Sequence, residues 1–179
     1  MDGVQTSTDI DLGACEPVSG AATGWNTRDL RNALGGFATG VTIVTSRGKD
    51  GVAAGVTVNS FCSVSLDPPL VLWCLCKTAP SSRVFLDATH YAIHVLAEDQ
   101  SHLSTRFSRP SPDKFAGLGI ARGLGGAPVI DGVVALFECR CEQRIDAGDH
   151  YIMLGRVERY GYTGGPPLLF HTGAYRKIV

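Results

Sequence analysis

Short apolar segments separated by glycine-, proline- and aspartate-rich turns follow one another along most of this chain. The two longest segments, 133–144 and 150–160, are separated by an Asp-Ala-Gly-Asp turn. Strands joined by so short a turn pair in an antiparallel hairpin, because a parallel pair needs a crossover of a dozen or more residues. Segments 41–46 and 52–58 are joined in the same way by a turn that contains Asp-Gly. The pattern therefore predicts a mainly β protein with an antiparallel barrel rather than parallel βαβ units.

The remaining segments predict further strands and a few short helices. Asn26 or Thr27 can cap a first helix over 29–34, which Gly35-Gly36 ends. The other predicted elements, in chain order, are a strand at 70–76, a helix at 83–87, a strand at 90–97, a helix at 98–107, a Pro/Gly-rich loop at 108–128 and a C-terminal segment at 170–178.

The stretch 55–66 alternates as a β-strand does, and its two faces differ in chemistry. The even positions are mostly valine and leucine, whereas the odd positions carry Thr, Asn and Ser around one Phe. A strand face in bulk water usually carries Lys, Glu or Arg, and the odd face has none. The odd face therefore fits either the wall of a site for a polar, uncharged ligand surface or the Thr/Ser-rich outer face of a strand near a sheet edge.

Length and charge place limits on the function. A chain of 179 residues is the size of one domain, and a net charge of −1 gives no broad basic field, so we expect no nucleic-acid partner. Residues 1–24 are rich in Gly, Ala, Ser and Thr, and we expect a disordered leader there and one domain over 25–179. The leader lacks the features of a secretory signal, and no apolar stretch could span a membrane. The expected location is the cytoplasm, with no membrane partner.

Six cysteines then need an explanation other than disulfides, which are rare in reducing compartments. Four of them form two Cys-x-Cys pairs, Cys74/Cys76 and Cys139/Cys141, each inside a predicted strand. A four-thiolate zinc site would be possible if those strands were neighbours, but zinc sites favour longer Cys-x₂₋₄-Cys spacings on turns. We expect no metal here, and thiols that act as small apolar side chains.

Several groups of residues, in collinear order, resemble those of the short-chain flavin reductases of two-component monooxygenases. They are GVTIVT at 40–45, GVTVNSF at 55–61 with SVSLDPP at 63–69, Lys77 with Ser81-Ser82, GDH at 148–150, and HTGAYR at 171–176. The resemblance implies a homodimeric, FMN-binding antiparallel split β-barrel of the Greek-key type with a few short flanking helices. It implies an enzyme that uses NADH or NADPH to reduce FAD or FMN, and reduced flavin that diffuses to a separate monooxygenase.

The resemblance also implies where the flavin lies. Its ring is expected along the strand and turn at 55–65, with Ser60 turned towards it by a bulge. A flavin phosphate is expected at the loop that precedes the helix at 83–87. The alternative is that this loop binds no ligand, its serines only cap the helix, and its lysine is solvated. The flavin-binding candidates are Thr57, Val58, Asn59, Ser60, Lys77, Ser81, Ser82 and Phe107.

His150 and Tyr175 are expected beside the nicotinamide, by the same resemblance. They are binding residues and not acid/base catalysts, because hydride passes directly between the two cofactors. No catalytic side chain is therefore expected. Further candidates for the anionic part of either cofactor are Arg83, Arg106 and Lys114.

Two functions of other classes remain open at this point. A flavin-binding electron carrier would keep the flavin contacts but would need no nicotinamide pocket. A zinc or thiol module would instead depend on the two Cys-x-Cys pairs.

Overall fold

The computed structural model describes residue 24 and residues 26–178, so the expected leader, apart from Gly24, lies outside the described residues. Three α-helices are present in the described part: α1 Thr27–Gly35, α2 Ser82–Asp87 and α3 Ser101–Ser108. None of them is long and apolar enough to cross a membrane. The strands are β1 Thr39–Gly40, β2 Thr42–Arg47, β3 Ala53–Val58, β4 Cys62–Leu66, β5 Pro69–Cys76, β6 His90–Val95, β7 Ile120–Arg122, β8 Pro128–Ile130, β9 Ala135–Ala147, β10 His150–Tyr162, β11 Leu169–His171 and β12 Ala174–Arg176.

The three predicted helices are present with small shifts of their ends. The side chain of Asn26 caps α1 by accepting hydrogen bonds from the backbone N–H groups of Arg28 and Asp29. Helix α3 begins three residues later than predicted, because Ala97 and Gln100 form a turn of their own. The backbone N–H of Gln100 donates to the carbonyl of Ala97, and the N–H of Ala97 donates to the Gln100 side chain.

Seven strands form an antiparallel sheet in the order β3-β2-β6-β9-β10-β5-β4. The predicted hairpin is β9 and β10, which turn at Gly148 with a positive φ of 65°. Side chains from β3, at one end of this order, and from β5, near the other end, share one buried cluster. The sheet therefore curves around its own core, and the fold is an antiparallel split barrel whose two free edges are β3 and β4.

Trp73 lies at the centre of the barrel core and is fully buried. The rings of Phe85 on α2 and Tyr91 on β6 pack edge-on against it, with centroid distances of 5.2 and 5.6 Å. A second buried cluster lies where α3 covers the outside of the barrel. Successive side chains of a strand point to opposite faces, so Val44 belongs to the first cluster and its neighbour Ile43 to the second.

The strand-like alternation over 55–66 is interrupted, because β3 ends at Val58, as the strand predicted at 52–58 does, and β4 begins at Cys62. Between them the side-chain oxygen of Ser60 accepts a hydrogen bond from the backbone N–H of Cys74, which ties the break to β5. The apolar even positions consequently have two environments. Those on β3 pack against the barrel core, whereas Val64 and Leu66 on the free edge strand β4 are 48% and 93% exposed.

Two segments contain hairpins that the sequence did not predict. The loop at 108–128 includes β7, which pairs with β8, and the buried carboxylate of Glu138 accepts a hydrogen bond from the N–H of Leu124 at 2.7 Å. Arg159 also forms an ion pair with this carboxylate, and the hydrogen bond that Arg159 donates lowers the Glu138 pKa. At the C-terminus, β11 and β12 are joined by Thr172-Gly173, whose φ values of 49° and 79° fit a type I′ turn.

His94 on β6 is fully buried, and both of its ring nitrogens have backbone partners. Nδ1 lies 2.9 Å from the carbonyl oxygen of Ile43, and Nε2 lies 3.1 Å from the backbone N of Ile130. The carbonyl needs a donor and the N–H needs an acceptor, so the ring is neutral with its proton on Nδ1. Burial lowers the pKa of His94 to about 4.

This buried histidine predicts a loss of stability in mild acid. The folded-state pKa is below the unfolded value, so the stabilisation is complete above about pH 6.5 and is lost as the pH falls towards 4. Between about pH 7.5 and about pH 5, His94 alone should lower the free energy of unfolding by about 2 kcal/mol, measured by urea denaturation. His94→Gln should flatten this dependence, whereas His102→Gln, at an exposed histidine of α3, should leave it unchanged. Equal slopes in all three proteins would contradict the assignment.

Candidate functional site

Four adjoining pockets surround the C-terminal half of β3, and each is named here by one element of its lining. The Lys114 pocket has a volume of about 600 Å³ and lies between the start of α2 and the loop after α3. The His150 pocket, of about 210 Å³, lies between the ends of β3 and β5. The Tyr175 pocket, of about 270 Å³, lies beside α3 and Phe170, and the α1 pocket, of about 560 Å³, lies between α1 and the turn after β11.

The pockets adjoin one another, because they share residues of β3 and of the break that follows it. Val56 lines both the Lys114 and His150 pockets, and Thr57 and Val58 line both the His150 and Tyr175 pockets. Asn59 lines the His150, Tyr175 and α1 pockets. The four adjoining pockets lie along the end of β3, and together we call them the β3 groove.

The position of β3 at the sheet edge gives the groove its polar wall. Among the described strands β3 pairs only with β2, so backbone groups along its other side are not used by the sheet. The hydroxyl of Thr57 donates to the carbonyl oxygen of Ser104 on α3 at 2.7 Å and is therefore fixed in place. Thr57, Val58, Asn59 and Ser60, which were candidates for flavin binding, all line the groove.

Phe107 reaches the groove only from the buried side. Its ring is fully buried and packs edge-on against Phe115, with a centroid distance of 5.2 Å. A Cβ atom on Gly55 would lie 2.4 Å from this ring, so glycine is required there for α3 to pack on β3. Phe107 lines the floor of the Lys114 pocket and supports the β3 wall.

Lys114 supplies a fixed positive charge at one end of the groove. Its ammonium group donates to the carbonyl oxygens of Gly55, at 3.0 Å, and Phe107, at 2.8 Å. The second bond satisfies a carbonyl at the negative end of α3. Partial burial lowers the pKa of Lys114. Arg109 lines the same pocket, and none of the described residues that line the four pockets is Asp or Glu.

His150 and Tyr175 lie in neighbouring pockets that share the residues 57–59. The Nδ1 atom of His150 lies 2.7 Å from a carboxylate oxygen of Asp149, and the hydrogen bond lowers the Asp149 pKa. The hydroxyl of Tyr175 donates to the side chain of Ser104 at 2.8 Å, and its ring packs edge-on against Phe170. The two side chains predicted for the nicotinamide site therefore approach the groove from different strands.

The candidates for anionic groups are not all brought to the groove. Lys77 pairs with Asp146 at 2.7 Å, lies over the ring of Tyr151 and lines none of the four pockets. Ser81 lines the Lys114 pocket, whereas Ser82 does not. Arg83 is exposed on α2 beside Asp87, and Arg106 donates to the carbonyl of Ala116. Of all the candidates for anionic groups, including Lys114, only Lys114 and Ser81 line the groove.

Several lining residues were not predicted from the sequence. They are Cys74, Cys76, Ala79, Arg109 and Phe170. Cys74 and Cys76 point away from the buried side chains of β5, and a hydrogen bond from Thr78 lowers the pKa of Cys76. The Cys-x-Cys alternation was the signal that could have placed both thiols together on the less buried face of β5.

A four-thiolate zinc site would require the two strands with Cys-x-Cys pairs to be neighbours, and they are not. Cys74 and Cys76 lie on β5 and Cys139 and Cys141 on β9, with β10 between those strands. Cys139 is fully buried, and burial raises its pKa to about 12. No group of three or more His, Cys, Asp or Glu side chains in the described part of the chain is placed to hold a metal ion.

Curated relatives of known activity resemble most of this chain. It is 51% identical over 155 residues to the FMN reductase (NADH) SmoA of Agrobacterium fabrum, covering 87% of this chain and 88% of that protein. It is 49% identical over 148 residues to the reductase component of the flavin-dependent trigonelline monooxygenase of Acinetobacter baylyi. That match covers 83% of this chain but 48% of the relative, so the chain spans about half of that protein's length.

Solved structures show the same fold. The NADH:FAD oxidoreductase SgcE6 of Streptomyces globisporus is 35% identical, with a TM-score of 0.83 over 92% of this chain and 98% of that one, and it is also known in complex with NAD and FAD fragments. A family model described as the flavin reductase like domain matches residues 34–179. With this match over most of its length, the chain belongs to the flavin reductase-like family.

Proposed function

We propose that this protein is an NAD(P)H:flavin oxidoreductase that reduces FAD or FMN and supplies the reduced flavin to a separate monooxygenase. The observation that carries this proposal is the β3 groove, in which the His150 and Tyr175 pockets share one wall. Adjoining pockets with a common wall suit two ring systems that must meet. The names of the relatives, which include an NADH-dependent FMN reductase and a monooxygenase reductase component, support the same reaction.

The residues of the groove fit a flavin. Thr57, Asn59 and the unpaired edge of β3 offer neutral hydrogen-bonding groups, which suit the carbonyl and nitrogen edge of an isoalloxazine. Val56 and Val58 offer apolar contact for the rest of the ring. Lys114 has no carboxylate partner among the described residues and would attract a flavin phosphate. When bound, the nicotinamide and the flavin supply the hydride transfer themselves.

The chain's own contribution is therefore binding and orientation. Asn59 lies where three of the pockets meet and can contact a ligand in any of them. Tyr175 is held by Ser104, and Thr57 is held by the backbone of the same residue, so two groove side chains are fixed to α3. Fixed groups cost less entropy when a ligand binds, and precise ring contact is what hydride transfer requires. We propose that these steps take place in the cytoplasm.

We also propose that the protein is a homodimer. Strand β4 is a free edge of the sheet, and Val64 and Leu66 on it are largely exposed to solvent. A free edge strand with exposed apolar side chains favours pairing with another chain unless it is covered. A second copy of this chain would cover it with a two-fold contact.

Light scattering tests the dimer. The native protein should have a mass near twice 18.9 kDa at micromolar concentration. Leu66→Asp should shift it towards the monomer, because the charge would be buried in the contact. Val52→Asp, at an exposed valine of the β2–β3 turn, is the matched control and should remain dimeric. A native monomer, or equal masses for the two variants, would contradict the proposal.

Oxidation of NADH and NADPH, followed by nicotinamide absorbance with FAD, FMN or no flavin, tests the reaction. Oxidation should require added flavin, because the groove offers binding groups for two cofactors and no other predicted chemistry. The proposal would be contradicted if NAD(P)H were oxidised at the same rate without flavin, or if it were not oxidised with either FAD or FMN. The second result would favour a flavin-binding electron carrier.

Kinetics of two variants test the assignment of the neighbouring pockets. His150→Ala should raise the KM for NAD(P)H by about two- to tenfold, the scale of one lost neutral hydrogen bond, with flavin affinity nearly unchanged. His102→Ala is the control on α3 and should behave as the native protein. Unchanged nucleotide kinetics in His150→Ala would remove this histidine from the site.

Asn59→Ala should have the opposite effect and weaken flavin binding by about two- to tenfold, measured by flavin fluorescence. Asn59→Asp retains the shape of the side chain and its preference for turns. If Asn59 contacts the flavin edge through its amide, the aspartate variant should also bind flavin poorly. Normal flavin binding by Asn59→Asp, together with lower thermal stability of Asn59→Ala, would instead assign Asn59 a structural role in the chain break.

A further inference from the structure

Two thiols of β5 line the β3 groove, and binding of the cofactors requires neither of them. Cys74 lines the His150 pocket, and Cys76 lines both the His150 and the Lys114 pockets. Cys76 pairs directly opposite His150 in the β5–β10 ladder, so the two side chains lie on the same face of the sheet. Cys76 therefore lies between the pocket proposed for the flavin phosphate and the pocket proposed for the nicotinamide.

The surroundings of Cys76 favour its thiolate form. The Sγ atom lies 3.2 Å from the hydroxyl oxygen of Thr78, and this hydrogen bond lowers the pKa of Cys76. Lys114 and Arg109 line the same pocket and are positively charged, whereas the carboxylate of Asp149 has a smaller, opposite effect on the thiol. A partly exposed thiol in a pocket lined by cations is the environment of a reactive cysteine.

The other described cysteines differ from these two. Cys139 and Cys141 lie on β9, and burial raises the pKa of both thiols. Cys62 is exposed on the edge strand β4 and lines none of the four pockets of the groove. Cys62 and Cys141 are therefore matched controls for chemistry at Cys76, since one lies outside the groove and the other has a thiol that ionises less readily.

A disulfide between Cys74 and Cys76 would require β5 to distort. Alternate residues of a strand lie about 6.6 Å apart, and their side chains leave the strand side by side. The Cβ atoms of a disulfide lie only about 3.8 Å apart. Strand β5 is paired with β4 on one side and β10 on the other, which opposes such a distortion. An oxidised Cys76 therefore keeps its added oxygen until a thiol from solution reacts with it.

We propose that Cys76 is a site of reversible oxidation by hydrogen peroxide, and that its oxidation blocks the groove to both cofactors. The thiolate sulfur attacks one peroxide oxygen, so that an S–O bond forms while the O–O bond breaks. Hydroxide leaves and takes a proton from solvent to become water. The sulfur is oxidised by two electrons to a sulfenic acid, and the peroxide is reduced. The added oxygen lies where the two pockets meet.

This inference rests on the proposed function for the source of the oxidant. Reduced flavin that no monooxygenase captures gives two electrons and two protons to dioxygen, which forms hydrogen peroxide and oxidised flavin. Oxidation of Cys76 then stops the supply of reduced flavin when it is not being consumed. Two molecules of a small thiol restore the cysteine, because the first forms a mixed disulfide with release of water and the second displaces the protein thiol.

Alkylation by iodoacetamide, measured for each cysteine by peptide mass spectrometry, tests the site without turnover. Cys76 should react faster than Cys141 at neutral pH, because more of its thiol is ionised. Flavin at about ten times its measured Kd should slow the reaction of Cys76 by about tenfold, since only the flavin-free protein exposes this thiol. Cys62 should react equally with and without flavin. Slower reaction at Cys76 than at Cys141, or no protection of Cys76 by flavin, would overturn the proposal.

Treatment with hydrogen peroxide tests the chemistry. Dimedone, which traps sulfenic acids, should label Cys76 of the native protein. In a parallel sample without dimedone, the native protein should lose most of its flavin binding, and dithiothreitol should restore it. Cys76→Ser should keep the flavin affinity that it had before treatment, whereas Cys74→Ser and Cys62→Ser should lose theirs as the native protein does. An equal loss in Cys76→Ser, full binding in the treated native protein, or protection by Cys74→Ser would each overturn the proposal.

Aerobic turnover without a monooxygenase tests the source of the oxidant. The native protein should lose activity progressively, catalase should prevent the loss, and Cys76→Ser should keep its initial rate. Loss at the same rate in Cys76→Ser, or no effect of catalase, would overturn the link to flavin turnover. A protein that oxidises no NAD(P)H with either flavin but shows flavin-protected, peroxide-sensitive Cys76 would refute the proposed function while supporting the modification site, because labelling and flavin binding need no turnover.

Discussion

The barrel core around Trp73 is the constraint on which the rest of the structure depends. It requires side chains from both ends of the seven-stranded sheet to meet, so the sheet curves until β3 and β5 share one buried cluster. Closure is incomplete, and β3 remains a free edge with backbone groups that no strand uses. Phe107 packs on Gly55 from outside and fixes that edge against α3. The groove therefore exists because the barrel buries its apolar residues without closing its hydrogen-bond ladder.

The charges along the groove give a consistent account of its ligands. Lys114 and Arg109 line one end, and Arg31 lines the other. The middle, around Thr57 and Asn59, has neutral polar groups, and no described lining residue is acidic. Ligands with uncharged rings in the middle and anionic groups towards the ends fit this order. Flavins and pyridine nucleotides have that distribution, which is why the groove and the family membership support the same function.

Local sequence signals predicted the turns and helix caps, because these depend on residues that are close together in the sequence. The Gly148 turn predicted the β9–β10 hairpin, and Asn26 predicted the start of α1. The barrel topology came from the family resemblance, because no local pattern states that β3 and β5 share a core. Lys77 illustrates the same limit in the site. Its partner Asp146 is 69 positions away on β9, and the two meet only because β10 pairs with both β5 and β9. The resemblance implied a turn within 55–65, but no local signal showed that Ser60 anchors the break between β3 and β4 on Cys74.

The most direct test of the account is anaerobic mixing of NADH with the protein and bound flavin, followed through the visible absorbance of the flavin. The account predicts that the flavin band bleaches much faster with the native protein than with free flavin, and that Asn59→Ala slows the bleaching at subsaturating flavin. A native protein that binds flavin in the groove but leaves this band unchanged when NADH is added would contradict the central claim, because the two adjoining pockets would not then bring the two rings together.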